Sequence, residues 1–308
     1  MAILILVVVL LLAVAVSLAV PLVQTSRKPG YKTVSIPSSP SPVQSGSTLK
    51  LPEQPLLTPT ANVMPTATPA PPQARAGAFT TLPPGAQLPS EAECAAHVRR
   101  SSWEPRPGNS VANHTVPTAQ QIAGLVLWEP DNGQDAKVNT LGRQITGNFT
   151  GTTDEILQWV ACKWGINVNI VRAQAVVESH WHQNDRGDQT NDARLCPPGT
   201  WNGTSCYQSY GLLQIKYVDN KTVWPMSRDD TAFNAEYTYR SIRGCYEGWA
   251  TYLYERTPVA GYPRYHPGDI WGCVGWWYSG SWYDQGALTY IKSVKMYLAN
   301  KPWLQPGF

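Results

Sequence analysis

The chain has 308 residues, a formal net charge of +3 and only 15% charged residues. This length suits one sizeable domain with appendages, and so small a net charge gives no support for nucleic acid or any other strongly charged partner. All 13 Trp and all but one of the 15 Tyr residues follow residue 100. The first ninety residues therefore have little with which to build a core.

Residues 1–23 form an almost unbroken apolar run. The run is long enough to cross a bilayer as a helix, and it also resembles the apolar part of a secretory signal. Arg27, Lys28 and Lys32 follow it, and the positive-inside rule would keep that flank in the cytoplasm. The cysteines described below favour export instead. We expect a signal peptide or a membrane anchor, with the C-terminal domain outside the cell or in the envelope.

The next segment, residues 24–90, is rich in Pro, Ser, Thr, Ala and Gln. Such a composition cannot bury enough apolar area to offset the entropy of ordering, which predicts a disordered linker. Residues 91–150 include ECAAHVRR near their start, which predicts a short helix, and continue with polar, Pro-containing sequence. We expect this region to be a loop-rich extension of the domain that spans residues 151–308.

Six cysteines lie in the Trp-rich part of the chain, and none forms a CxxC pair. An even number without metal-site spacing indicates disulfides in an oxidising compartment. Six cysteines allow fifteen pairings, and the sequence does not choose among them. The turn-forming residues of CPPGTWNGTSC favour a local Cys196–Cys206 bond. Cys94–Cys162 and Cys245–Cys273 would complete the set.

Helical signals become clear from residue 151. TTDEILQWVACKWG has a capping-box start, Thr152 with Glu155, and a Gly165 stop. INVNIVRAQAVVES reads as a second helix, with Asn167 as its N-cap. Farther along, SYGLLQIKY has the character of a strand and predicts a small hairpin beside the second helix.

Two longer helices follow towards the C-terminus. One begins after Asp230, and Gly244 or Gly248 is expected to interrupt it. The other is DQGALTYIKSVKMYLANKP, and Pro302 follows its end. The fold class is therefore α+β, mainly α. The expected apolar stripe of the last helix consists of Leu288, Ile291, Val294 and Leu298.

One carboxylate, Glu178, closes the apolar run of the second predicted helix. Val171, Ala175 and Glu178 share one helix face because they are spaced i, i+4 and i+7. Burial disfavours the charged form of a carboxyl group and raises its pKa. A carboxylic acid that stays protonated near neutral pH can donate a proton to a leaving oxygen. The alternative is that a glutamate at a helix end bends back to solvent.

Two short segments around this acid carry a resemblance to a known superfamily. Glu178–Trp181 reads ESHW, and Ser209–Ile215 reads SYGLLQI. This pair, on a helix end and then a strand, is similar to the lysozyme-like superfamily and closest to Slt-type lytic transglycosylases. The resemblance covers about residues 152–300. Phe233–Tyr237 and Trp276–Gly280 match later motifs of the family loosely.

The resemblance implies a lysozyme-like domain with a groove for β-1,4-linked N-acetylated glycans, chiefly the strands of peptidoglycan. It implies that Glu178 is the general acid, that glycine lets the backbone approach a sugar, and that exposed aromatic rings stack on pyranose faces. It implies no cofactor, and we expect a monomer. The implied substrate-binding residues are Trp181, Ser209, Tyr210, Gly211, Gln214 and Tyr278.

The sequence departs from the family at one position. Chicken-type lysozymes have a second carboxylate where Ser209 stands here, whereas Slt-type enzymes use a single Glu as acid and then base and leave an anhydro-muramyl product. Goose-type lysozymes take an Asp from the intervening segment, and Asp185, Asp188 and Asp192 are the candidates here. Lytic cleavage is our first expectation. Hydrolysis, or a non-catalytic wall-binding or adhesive module, is the alternative.

His180 and His182 could suggest a metal pair. No third ligand stands at a recognisable spacing, so we expect no metal site. Nucleotide-binding and serine-hydrolase motifs of the GxGxxG, Walker and GxSxG types do not occur in the sequence.

Overall fold

The computed structural model describes residues 79–125 and 137–308. The apolar run at residues 1–23, and the linker up to residue 78, lie outside these ranges. Within them, no helix combines the length and the hydrophobicity that a bilayer crossing requires. The α-helices, in chain order, are α1 (Glu91–His97), α2 (Ser110–Asn113), α3 (Ala119–Ala123), α4 (Val138–Gly142), α5 (Thr153–Lys163), α6 (Val168–Ser179), α7 (Met226–Asp229), α8 (Thr231–Tyr246), α9 (Ile270–Ser279) and α10 (Gln285–Asn300).

A small antiparallel sheet of three short strands accompanies the helices, so the described part of the chain is α+β and mainly α. Its strands are β1 (Arg186–Gly187), β2 (Ser209–Tyr210) and β3 (Ile215–Lys216), in the order β1-β2-β3. The sequence predicted a hairpin from the β2–β3 segment but missed β1. Short 3-10 helices complete the structure at Pro107–Asn109, Ala193–Leu195, Tyr217–Asp219, Lys221–Val223, Thr251–Glu255 and Pro302–Leu304.

Local caps explain where the main helices begin. The Thr152 hydroxyl accepts a hydrogen bond from the Glu155 amide at 3.3 Å, and the Glu155 carboxylate accepts one from the Thr152 amide at 3.0 Å. Asn167 caps α6 through its side-chain oxygen, as predicted. Asp230 caps α8 in the same way. These caps satisfy amide groups that the first turn of a helix leaves without a partner.

Helix packing places α6 at the centre of the domain. It packs against α5 on one side and α10 on the other, while α8 contacts both α5 and α9. Asp154 on α5 and Arg172 on α6 form a buried ion pair, with Nε–Oδ1 and Nη2–Oδ2 distances of 2.7 and 2.9 Å. Apolar burial and this pair together fix the position of α6 relative to its neighbours.

Two helices differ from their sequence predictions. Helix α8 runs through Gly244 without interruption and ends just before Gly248, which adopts a positive φ of 88°. Helix α10 buries a face that is rotated from the predicted stripe, because Leu288 and Leu298 are only partly buried. The fully buried positions of α10 are Ala287, Tyr290, Ile291 and Val294.

All three predicted disulfides are present: Cys94–Cys162, Cys196–Cys206 and Cys245–Cys273. The first joins α1 to α5 and so ties the N-terminal extension to the domain. The last joins the C-terminal end of α8 to α9. Three disulfides are typical of proteins in oxidising compartments and fit an extracellular or envelope location.

The prediction that the linker continues to residue 90 is wrong for its last part. From Phe79 onwards the chain contacts the domain: the Leu82 amide donates to the Gly165 carbonyl at 3.0 Å. The buried Arg243 guanidinium donates to the carbonyls of Leu82 and Pro83 at 3.0 and 2.9 Å. A buried cation with several donors to satisfy accounts for the ordering of this proline-containing segment.

Candidate active site

Glu178 lies in the last turn of α6, where the helix gives way to a sharp turn. His180 and Trp181 both adopt left-handed backbone conformations, with φ of 54° and 67°. The Ser179 hydroxyl donates a hydrogen bond to the Leu212 carbonyl at 2.8 Å. This hydrogen bond attaches the end of α6 to the segment that links β2 and β3. It therefore joins the two sequence motifs, ESHW and SYGLLQI, in space.

The Glu178 side chain is partly buried, with some of its surface accessible. Burial raises the pKa of Glu178 to about 8, and the negative charge of Asp188 adds to the effect. Hydrogen bonds from Tyr290 and Trp277 favour the ionised form and oppose the shift. The carboxyl group therefore holds its proton near neutral pH and can release it to a neighbouring basic oxygen. Because Glu178 is partly buried, the alternative of a glutamate side chain that turns fully into solvent is excluded.

Aromatic side chains surround the acid. Tyr290 stacks on Tyr278 with ring centroids 4.7 Å apart and an angle of 7° between the planes. Burial, then the charges of Glu178 and Asp188, raise the pKa of Tyr278. This places Tyr278, which is partly exposed, near both carboxylates. Of the two predicted stacking residues, Trp181 and Tyr278, Tyr278 is the one that keeps exposed surface.

Asp188 is the aspartate that the structure brings to Glu178. It follows β1 and accepts a hydrogen bond from the Ser209 hydroxyl at 2.7 Å. The Lys216 ammonium lies 3.3 Å from the same carboxylate oxygen. These two contacts hold the Asp188 side chain in place. The site therefore contains one carboxyl group with a raised pKa, Glu178, and a second carboxyl group, Asp188, that contacts a hydroxyl and an ammonium group.

The other two candidate aspartates serve elsewhere. The Asp185 carboxylate is exposed and accepts a hydrogen bond from the Arg186 amide at 2.9 Å. Asp192 pairs with Arg194 at 2.7 Å, and the hydrogen bonds of that pair lower the pKa of Asp192 to about 2. Of the three candidate aspartates, Asp188 is the one whose charge contributes to the raised pKa of Glu178.

Trp181 is not a sugar-stacking residue, in contrast to the expectation from the motif. Its side chain is 0% exposed. The ring stacks on Trp303 and meets Trp103 and Phe308 edge-on, and its indole donates to the Arg172 carbonyl at 3.0 Å. The left-handed turn after α6 directs this ring into the core, where its large apolar area is buried.

Gly211 is needed for a protein contact. It has a φ of 85°, and a Cβ at this position would lie 2.2 Å from the Asn234 amide nitrogen and 2.5 Å from the Ser227 carbonyl. Asn234, on α8, donates to the Ser227 carbonyl at 2.7 Å and accepts from the Leu213 amide at 2.8 Å. The space beside Gly211, where a sugar was expected, is therefore occupied by the Asn234 side chain.

The remaining residues of the strand motif also have structural contacts. Ser209 and Tyr210 are 4% and 3% exposed, so neither presents a free surface at the acid. The Gln214 amide donates to the Gly211 carbonyl at 2.8 Å, and its oxygen lies where a Cβ on Gly187 would stand. Gln214 thus supports the sheet from the side of the site and remains partly exposed.

The N-terminal extension holds the turn that follows Glu178. The buried Asn109 side chain donates to the Trp181 carbonyl at 2.7 Å and accepts from the Gln183 amide at 2.8 Å. Arg106 donates to the His180 carbonyl at 2.7 Å. These bonds compensate two consecutive left-handed residues without glycine, a conformation that is costly when unsupported. The extension is therefore part of the site.

Sequence reasoning missed three residues that matter here: Tyr290, Trp277 and Asn234. Tyr290 falls on the buried face of α10, beside Ile291, and could have been found from helical spacing with Val294. Asn234 and Trp277 lie inside the two loosely matched motifs, where no single residue stood out. No group of three or more potential metal ligands occurs within residues 79–125 and 137–308.

Removing the Tyr290 hydroxyl tests the electrostatics of the acid. In Tyr290→Phe, loss of a hydrogen bond to the ionised carboxylate should raise the Glu178 pKa by a further half to one unit, roughly. NMR titration of the carbon-13-labelled glutamate carboxyl groups measures this shift. Tyr297→Phe, on the same helix, is the control and should leave that pKa unchanged. A downward shift in Tyr290→Phe would contradict the assigned contact.

Comparisons with known proteins gave no match: no protein-family model, no curated protein and no solved structure matches this chain.

Proposed function

We propose that the chain is an exported, lysozyme-like glycosidase that cleaves the β-1,4 bond between N-acetylmuramic acid and N-acetylglucosamine in peptidoglycan. The observation that supports it best is Glu178, a partly buried residue at the end of α6, whose carboxyl group has a pKa of about 8 and lies near the partly exposed Tyr278. The resemblance of the ESHW and SYGLLQI motifs to the lysozyme-like superfamily supports peptidoglycan as the substrate. The three disulfides support export.

In the proposed reaction Glu178 acts twice. Its proton passes to the glycosidic oxygen as the bond from that oxygen to the muramyl C1 breaks, which leaves an oxocarbenium-like centre at C1. The Glu178 carboxylate then removes the proton of the muramyl C6 hydroxyl, and O6 bonds to C1. The products are a free 4-hydroxyl on one fragment and a 1,6-anhydro-muramyl end on the other, and Glu178 has regained its proton.

Hydrolysis is the second candidate, and Asp188 favours it. A second carboxyl group beside the acid is what hydrolytic glycosidases use to direct water or to stabilise the charge at C1. In the lytic route Asp188 contributes only to electrostatic stabilisation of that charge. The two routes therefore predict different effects of the same substitution.

Asp188→Asn separates the two routes. We expect the variant to retain wall cleavage within about tenfold of wild type and to yield anhydro-muramyl ends, because the internal O6 nucleophile needs no second carboxylate. Mass spectrometry of the products of purified peptidoglycan measures both quantities. Loss of about a hundredfold or more, with reducing ends from wild type, would establish hydrolysis instead. If wild type binds walls and releases nothing, the chain is a non-catalytic wall-binding module.

A further inference from the structure

The two faces of the small sheet have different surroundings. Cross-strand partners share a face, and successive residues of a strand point to opposite faces. Ser209 pairs with Gly187 and Lys216, and this face carries the contacts to Asp188. Arg186 pairs with Tyr210 on the opposite face. The sheet thus turns one face to the candidate active site and the other away from it.

A groove of about 660 Å³ lies along that opposite face. We call it the back groove; its lining includes Arg186, Tyr210, Asn184, Val111 of α2, Thr200 of the Cys196–Cys206 loop, and Arg228 of α7. Its volume is in the usual range for ligand sites. The acid Glu178 is not among its lining residues. The Cys196–Cys206 loop contributes Gly199 and Thr200 to this lining.

Charge in the back groove is unbalanced. Arg228 is paired with its neighbour Asp229, at 2.5 Å between Nε and Oδ1. Arg186 is exposed, and no ion pair joins it to an acid within the described part of the chain. The groove therefore presents one uncompensated guanidinium group, whose planar donors suit a carboxylate. A single such cation is too little for nucleic acid, which requires several phosphate contacts.

Apolar surface adjoins this cation. Val111 is 82% exposed in the groove lining, and Trp201, next to Thr200, is 38% exposed. The Asn184 amide adds hydrogen-bonding capacity. Tyr210 is only 3% exposed and packs edge-on against Trp224, whereas Tyr207, which also lines the groove, is partly exposed. A ligand that matches this lining has a carboxylate for Arg186, amide groups for Asn184 and small side chains for the apolar surface. A short peptide carries all three.

We propose that the back groove binds a short anionic peptide, whose carboxylate is held by Arg186. That the natural ligand is a stem peptide of the cell wall rests on the proposed function. The sheet is narrow, because its strands are only two residues long. A polymer that carries both glycan and peptide parts can therefore reach around it and contact both faces.

The test is a calorimetric titration of the full-length protein with N-acetyl-L-alanyl-D-glutamic acid, which carries two carboxylates and no ammonium group, and with the same peptide after amidation of its carboxyl groups. The acidic peptide should bind, and the amidated one should bind at least tenfold more weakly. In Arg186→Gln the affinity for the acidic peptide should fall about tenfold or more. The matched control is Arg194→Gln, which removes an exposed arginine outside the groove lining and should leave the affinity unchanged.

Several results would overturn this assignment: no binding by wild type, equal binding of both peptides, or equal losses in the two arginine variants. Chemical-shift changes confined to residues outside the back groove would do the same. Peptide affinity and glycan cleavage are measured separately. A protein that cleaves walls but does not bind the peptide refutes only the back groove, and one that binds but does not cleave refutes only the proposed reaction.

Discussion

Glu178→Gln is expected to reduce the rate of peptidoglycan cleavage by about a thousandfold or more. An amide keeps the size of the side chain but cannot donate a proton to the glycosidic oxygen or accept one later, and general acid–base catalysis supplies about 10²–10⁴-fold in rate. Release of soluble fragments from purified walls measures the effect. The matched control is Glu255→Gln, which makes the same change at an exposed position and should keep full activity. Equal rates for wild type and Glu178→Gln would remove the catalytic role of this residue.

The same variant has a distinct signature in stability. With a folded pKa of about 8 against an ordinary value of 4.5, the folded wild type binds more protons than the unfolded chain between these two pH values. Its free energy of unfolding therefore falls as pH rises through that window. Gln removes this cost, so the variant should be more stable than wild type at pH 8, by about 1–3 kcal/mol. The difference should vanish near pH 4.

Asp230 must be considered in such measurements, because burial raises its pKa to about 8 as well. It is present in both proteins, so the difference between wild type and Glu178→Gln isolates the contribution of Glu178. Denaturant titrations at several pH values provide the curves. A stability difference that is constant across pH 4–8 would contradict the raised pKa of Glu178, whatever the activity shows.

Asp154→Ala is expected to cost about 3–5 kcal/mol of the free energy of unfolding. Asp154 accepts hydrogen bonds from Arg172 at 2.7 and 2.9 Å and from Gln158 at 2.8 Å. Arg172 is 2% exposed, so removing its partner leaves a buried guanidinium group without a counter-charge. Because Arg172 lies on α6, the loss should also loosen the helix that carries Glu178.

An exposed pair provides the matched control. Asp192→Ala breaks the Asp192–Arg194 pair, whose arginine side chain is 88% exposed, and should leave the free energy of unfolding nearly unchanged. Denaturant unfolding at pH 7 with the disulfides intact measures both variants. Replacing Asp154 by Leu and Arg172 by Met together should recover much of the lost stability. If Asp154→Ala and Asp192→Ala lowered the free energy of unfolding equally, burial of the Asp154–Arg172 pair would make no extra contribution to stability.

The sequence did not show which aspartate lies near Glu178. Asp185, Asp188 and Asp192 are equivalent in the sequence, since each lies between the two motifs. The short β1 strand and the hydroxyl of Ser209 select Asp188. Two-residue strands are too short for a periodic pattern to reveal them, so this selection was not predictable.

The fate of Trp181 makes the same point for aromatic residues. Its place in the ESHW motif suggested an exposed ring, whereas the left-handed turn directs it into the core. The contact of Tyr290 with Glu178 joins residues 112 positions apart. Neither the turn nor this contact leaves a local pattern in the chain.

The sequence by itself determined the starts of the main helices, the predominance of helix with a small β element, and the end of α6 at an acid. These features depend on interactions within a few residues: a capping side chain and its own helix, or an apolar spacing of three and four. Tertiary structure alone decided the pKa of Glu178, its partners Tyr290 and Asp188, and the back groove on the opposite face of the sheet. Burial and charge proximity arise when distant segments pack, and no local rule of sequence encodes them.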